Sequence, residues 1–189
     1  LYWMHVWDRH TPIDETMRAM DDLVRSGKVR YIGVSDTPAW KCAEAQTIAH
    51  FRGWSPIVAL QIEYSLMSRG IEAEILPAVR ELGISVTAYG ILSRGLLSSG
   101  TARLAPNDPR ARFPRFSGEN HARNLELLAA LEAIAAEHEV TAAQLAIAWV
   151  ASRGEDIIPL IGTKRRDRLA EALKALDLAL SLDDLAAEI

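Results

Sequence analysis

The apolar positions of this chain switch between two periods. Short runs repeat every second residue, and the longer stretches between them repeat every third and fourth. Leu1–Trp7 reads as a strand, and Thr11-Pro12-Ile13-Asp14-Glu15 as a helix start with a proline and early acids. That amphipathic helix runs to about Ser26, where Gly27 supplies the stop. Val29–Ser35 is the second predicted strand, and Pro38 to about Phe51 the second helix. Ile57–Ile62 is the third strand, Ile71–Leu82 the third helix, ended by Gly83, and Ile84–Tyr89 the fourth strand. A long Gly-, Pro- and Arg-rich loop, Gly90 to Gly118, leads into two helical segments, about Glu119–His138 and Thr141–Ser152. Asp156–Ile161 is the fifth strand and Arg166–Leu176 the helix after it.

Strict strand–helix alternation with buried-type strands predicts a parallel α/β architecture. A doubly wound sheet would carry a Gly-rich phosphate turn after its first strand, and Trp7-Asp8-Arg9-His10 is no such turn. The alternative is a (β/α)8 TIM-type barrel, which needs about 250 residues and eight strands. Five strands cannot close one. The expectation is therefore a single partial barrel domain over residues 1–189, holding strands four to eight, cut inside a strand at Leu1 and clipped just after Ile189.

Polar residues at strand ends carry the functional signal in a barrel, because its chemistry sits at the C-terminal ends of the strands. His5 shares a strand face with Leu1, Trp3 and Trp7, and Ser35 shares one with Tyr31 and Gly33, with Asp36 following. Gln61 and Glu63 continue the face of Ile57 and Ala59, and Tyr89 that of Ser85 and Thr87. An unpaired buried group of this kind costs about 1–3 kcal/mol, so partners or a ligand are expected. The last strand ends in Ile161-Gly162-Thr163-Lys164-Arg165-Arg166-Asp167-Arg168. A Gly-Thr turn opening a helix offers free N–H groups and the positive end of the helix dipole, and the cations add donors. Barrels often bind phosphate after strands seven and eight, which suits this place in the order.

The bulk numbers narrow the partners. A net charge of −4 and a pI near 5.8 argue against a nucleic-acid surface, and 49% apolar content is ample for a core. No apolar run approaches the roughly 18 residues of a membrane span, and no targeting segment is visible. The single cysteine, Cys42, allows no intramolecular disulfide and sits in a helical pattern that favours plain packing. A soluble, cytoplasmic protein is expected. His10, His50, His121 and His138 lack metal-ligand spacing, and no nucleophile elbow occurs.

Five segments, in order, make the chain resemble an aldo-keto reductase. They are the histidine-bearing Leu1–Asp8; Ser26-Gly27-Lys28-Val29-Arg30-Tyr31-Ile32-Gly33-Val34-Ser35; Gln61-Ile62-Glu63-Tyr64-Ser65-Leu66; Ala88-Tyr89-Gly90-Ile91-Leu92-Ser93-Arg94-Gly95-Leu96-Leu97; and Gly162-Thr163-Lys164 through Arg168. The resemblance implies NADPH-dependent reduction of a small aldehyde or ketone to an alcohol, with NADH as the other possible cofactor. His5 would orient the substrate carbonyl. Ser35, Asp36 and Gln61 would hold the carboxamide, and Tyr89 would stack on the nicotinamide ring. Gly90, Ile91, Leu92, Arg94 and Leu96 would line the pyrophosphate. Gly162 would also bind the cofactor, Thr163, Lys164 and Arg168 would meet the adenosine 2′-phosphate, and Glu171 the adenine amine.

The chain departs from the family pattern in three ways. Asp36 stands where the family often has Asn, and a carboxylate accepts hydrogen bonds but cannot donate one. Ala172 stands where Asn often contacts adenine. The family's catalytic tyrosine, lysine and aspartate belong to strands before His5, which implies that residues 1–189 alone are inactive. Two other readings fit the same residues. One is a channel-subunit-like, cofactor-sensing interaction protein with little turnover, and the other a phosphate-binding barrel without nicotinamide chemistry. Asp36 also reads as an ordinary helix cap, the Lys164–Arg168 charges as a solvated helix start, and Trp3 and Trp7 as core or pocket wall. The loop arginines Arg103, Arg110, Arg112 and Arg115, with Phe113 and Phe116, suit either a flap over the cofactor or a flexible solvent loop.

Overall fold

In the computed structural model, five strands lie in sequence order in one sheet: β1 (Tyr2–Met4), β2 (Ile32–Ser35), β3 (Ile57–Glu63), β4 (Ser85–Tyr89) and β5 (Ile157–Pro159). The structure describes residues 1–98, 104 and 107–181. β1 through β4 pair in parallel, and β5 joins beside β4, where the Val86 N–H donates to the Asp156 carbonyl at 2.8 Å. Helices follow the strands: α1 (Ile13–Arg25), α2 (Ala39–Arg52), α3 (Ile75–Glu81), the pair α4 (Gly118–Glu137) and α5 (Ala142–Ser152), then α6 (Arg166–Leu173). This is the expected parallel α/β order. No helix among the described residues is long and apolar enough to cross a membrane.

The described residues form two compact units, 1–64, 68–89 and 155–158 in the first, and 65–67, 90–98, 104, 107–154 and 159–181 in the second. In the first, Val34, Leu60 and Val86 are fully buried, as are Met17, Cys42 and Val79 from the helices. Each such side chain contributes about 1.5–3 kcal/mol by leaving water. Cys42 is thus a core residue, and burial pushes its thiol up to about 11. In the second unit α5 is buried from Ala142 to Val150, which fits its apolar run. Thr141 caps it in a capping box, accepting from the Gln144 N–H while the Gln144 side chain accepts from the Thr141 N–H.

Several element bounds differ from the sequence expectation, each for a local reason. The first strand spans Tyr2–Met4 rather than Leu1–Trp7, and Tyr2 and His5 are exposed. β1 stands first in the strand order, so in this five-stranded sheet it pairs on one side alone, with β2. The second strand starts at Ile32 because Lys28 and Val29 still donate to the Leu23 carbonyl. Gly27, at φ 72°, supplies the left-handed residue that lets the chain turn back over the end of α1. The predicted helix Ile71–Leu82 is a 3-10 turn, Gly70–Glu72, followed by α3 from Ile75. Pro77 explains the break. In a continuous helix it would lack a hydrogen bond and clash with the Ala73 carbonyl, whereas in the first turn of α3 its missing N–H costs nothing. β5 ends at Pro159 rather than Ile161, and α6 ends at Leu173, continuing as a 3-10 turn, Lys174–Asp177.

Candidate functional site

Parallel register turns the strand-end residues of the first unit into rows. Trp3, Gly33, Ala59 and Ser85 are level across four strands, and two residues further Ser35, Gln61 and Thr87 form the next row. Continuing the Met4–Val34 pairing by one residue puts His5 level with Ser35. Only glycine fits at position 33: a Cβ there would lie 2.5 Å from the Trp3 ring and 2.9 Å from the Ala59 carbonyl oxygen. Trp3 therefore lies against Gly33 in the row below the polar one. Tyr89 pairs with Glu63 one step beyond.

The hydrogen bonding in this row is uneven. Ser35 is buried and its carbonyl accepts from the Thr37 hydroxyl at 3.0 Å. Asp36 sits in the left-handed region (φ 46°), a conformation that Asp tolerates, and its N–H donates to the Gln61 carbonyl at 2.9 Å. The Tyr89 hydroxyl donates to the Asp36 carboxylate, 3.1 Å from Oδ1 and 3.3 Å from Oδ2. The Thr87 hydroxyl is buried without a partner among the described residues, a polar group turned toward this face with nothing to bind. Beyond His5 the loop is pinned by Asp8, whose carboxylate accepts from the Thr11 hydroxyl and the His10 N–H; these bonds hold it below the usual carboxylate range. Trp7 meets Trp40 edge-on, with ring centroids 5.3 Å apart, and the Lys41 ammonium lies 4.6 Å from each ring.

The second unit contains a cleft of about 390 Å³, within the range of ligand pockets. Gly90, Ile91, Leu92 and Arg94 line one side, and Gly162, Thr163, Arg168 and Glu171 another. These eight residues are the ones expected along the pyrophosphate and adenosine. Leu96 does not join them, because it is fully buried in the core, and Lys164 is exposed outside the lining. Gln144, Ile147 and Ser98 also line the cleft and were not expected there. The Thr141-x-x-Gln144 capping signature was visible in the sequence, but it announces a helix start and not a pocket wall.

Backbone conformation shapes the first wall. Gly90, Ser93, Arg94 and Gly95 all have positive φ, and the Ser93 and Gly95 N–H groups bond back to the Gly90 and Leu92 carbonyls. Ser93 is buried with its Oγ 3.3 Å from that of Ser65. The Arg94 guanidinium lies 4.3 Å above the Phe113 ring, and Arg110 donates to the Arg94 carbonyl while pairing with Asp108. Of the loop arginines, Arg110 is thus paired and lies 5.7 Å from the Phe116 ring, and Arg112 donates to the Pro109 carbonyl. Arg103, also expected in a flap, lies outside the described residues.

On the second wall the charges are largely spoken for. The Glu171 carboxylate accepts from Arg168 at 2.7 Å and from the Thr141 hydroxyl at 3.1 Å, and its carbonyl accepts from Gln144 at 3.0 Å. Arg165 pairs with Asp167, which that bond holds below the usual carboxylate range. The Thr163 hydroxyl accepts from the Arg165 N–H in a local turn. Lys164 and Arg166 make no ion pair among the described residues. A dinucleotide fits this donor set: backbone groups, Arg94 and the Glu171-paired Arg168 inside the cleft, with exposed cations flanking it in sequence.

Residues 1–187 match the family described as the aldo/keto reductases. The chain is 41% identical over 187 residues to a probable aldo-keto reductase 1 of Glycine max, an alignment covering 98% of this chain and 52% of that protein. Among solved structures it resembles a glycerol dehydrogenase of Gluconobacter oxydans (TM-score 0.87, 28% identity, 98% of this chain and 56% of that one). It also resembles a thermostable aldo-keto reductase solved with the inhibitor epalrestat (TM-score 0.75, 27% identity, 98% and 57%). These neighbours are barrels, and the chain spans about half the length of the relatives it matches. The aligned segments, the strand order and the structural match agree that this chain belongs to the aldo/keto reductase family.

Proposed function

We propose that the protein is an NADPH-dependent carbonyl reductase, to which residues 1–189 contribute most of the cofactor bed and the substrate-orienting His5. The cofactor supplies a hydride when bound. The first unit's Ser35 and Gln61 hold the carboxamide, and Tyr89 presents its ring to the nicotinamide. His5, exposed at the end of β1, donates a hydrogen bond to the carbonyl oxygen of an aldehyde or ketone. In the second unit the Gly90–Leu92 backbone takes the pyrophosphate, Arg168 and Lys164 take the 2′-phosphate, and Glu171 accepts from the adenine amine. The observation that carries this reading is the second unit's cleft, where eight residues expected from sequence line one cavity.

Binding and turnover test different parts of the proposal. Titration with NADPH, followed by tryptophan fluorescence, gives saturable binding, and Lys164→Ala weakens it about tenfold while NADH affinity changes less than about twofold. Equal losses for both cofactors would remove the 2′-phosphate role, and no saturable change with either would remove the reductase reading. Residues 1–189 alone give no turnover, since the tyrosine that protonates the carbonyl oxygen in this family has no counterpart matched here. NADPH-dependent reduction of 4-nitrobenzaldehyde by this chain alone would overturn that statement.

A further inference from the structure

The strand-end row of the first unit contains hydrogen-bonding groups that are spent and groups that are not. Asp36 already uses its N–H and part of its accepting capacity. Its N–H is given to the Gln61 carbonyl, and its carboxylate accepts the Tyr89 hydroxyl at 3.1 and 3.3 Å. The side chains of Ser35 and Gln61, in contrast, make no hydrogen bond among the described residues. A carboxamide offers a carbonyl oxygen that needs a donor and an amine that needs an acceptor. Gln61 and Ser35 can supply both. A carboxylate at position 36 supplies acceptors and not the donor that an amide would.

The topology explains what the Asp36–Tyr89 bond does instead. Asp36 follows β2 and Tyr89 ends β4, with β3 between them, so the two backbones stand about 10 Å apart across the sheet. To reach that carboxylate, the Tyr89 ring must lean across the end of β3, over the row that holds Gln61. We propose that Asp36 is a positioning residue: its carboxylate fixes the tilt of the Tyr89 ring against which the nicotinamide stacks, and carboxamide recognition falls to Gln61 and Ser35. This rests on the cofactor reading above. It assigns to this chain's Asp a role distinct from that of the Asn often found there, which can donate to the carboxamide directly.

A double-mutant cycle on NADPH affinity separates the two roles, because groups that act through one bond give non-additive losses. Asp36→Ala and Tyr89→Phe each weaken NADPH binding about fivefold, and the double variant is no weaker than about fivefold. Asp36→Asn, which keeps one acceptor oxygen for the Tyr89 hydroxyl, recovers at least half of the loss caused by alanine. Multiplying losses, to about twenty-fivefold in the double variant, would show that Asp36 touches the cofactor itself and overturn the inference. So would an Asp36→Ala variant that binds like wild type. Absence of saturable NADPH binding by the wild-type chain would instead remove the cofactor reading, and this inference with it.

Discussion

The two units hold their chemistry by different means. In the first, side chains are placed by strand register: fixing one pair, such as Ser35 with Gln61, fixes the row on either side of it. In the second, the cleft wall is made by backbone conformation, with Gly90, Ser93, Arg94 and Gly95 held at positive φ. A register is robust because every ladder bond enforces it. Left-handed non-glycine residues cost about 1 kcal/mol each and persist only where their surroundings hold them. The comparison teaches that one half of the proposed cofactor bed is supported by the sheet itself and the other by strain offset locally.

Substitutions can break this contrast or sharpen it. The largest effect is expected at Asp21, a buried carboxylate that accepts from the Ser55 N–H and hydroxyl, both at 2.8 Å, and pairs with Arg25. Burial opposes its ionisation, but the bonds from Arg25 and Ser55 prevail and its pKa is lowered. Asp21→Ala destabilises the first unit by about 3 kcal/mol, seen as lost hydrogen-exchange protection in α1 and α2 with α4 and α5 unchanged. Equal loss in both units would end the contrast. Because the folded pKa is depressed, Asp21 contributes stability above the unfolded value, and that contribution disappears as the pH falls below about 4. The alanine variant should therefore show a flatter acid limb in denaturation against pH.

Gly33→Ala comes next. The new methyl group meets the Ala59 carbonyl, which cannot yield, as well as the Trp3 ring, and the cost is about 2 kcal/mol with a shift in tryptophan emission. A neutral outcome in urea denaturation would mean that the rows tolerate displacement after all. The smallest effect has the opposite sign. Glu139 ends α4 at φ 56°, where glycine carries no steric cost. Glu139→Gly raises the thermal stability of the second unit by about 1 kcal/mol. An unchanged melting profile would show that left-handed strain does not limit that unit.

The same contrast decides what was legible in the sequence. Alternation placed Ser35, Gln61 and Tyr89 on usable strand faces before any coordinates, since a period of two is written directly in residue type. The helix stops at Gly27 and Gly83 were equally plain. The split of the third helix was legible in principle, through Pro77, but apolar periodicity across Ile71–Leu82 outweighed it. The exposure of Tyr2 and His5 was not legible, because an aromatic strand reads as buried whichever neighbours it has. The first wall of the cleft was reached only through family resemblance, because it is a run of φ values and Ser93 and Arg94 do not advertise left-handed geometry as glycine does, whereas the Gly162-Thr163 turn opening a helix marked the second. The Asp36–Tyr89 bond joins residues 53 apart in sequence and needed the strand order to be seen.

The two end strands also differ in what they offer other molecules. β1 is Tyr-Trp-Met, flanked by exposed Leu1 and His5, and alternate backbone groups along it point away from β2. At the other end of the order Pro159 lacks the N–H that an added strand would need. The free backbone groups of Tyr2–Met4 are therefore the ones a further parallel strand could pair with, whereas Pro159 leaves β5 one donor short of such pairing.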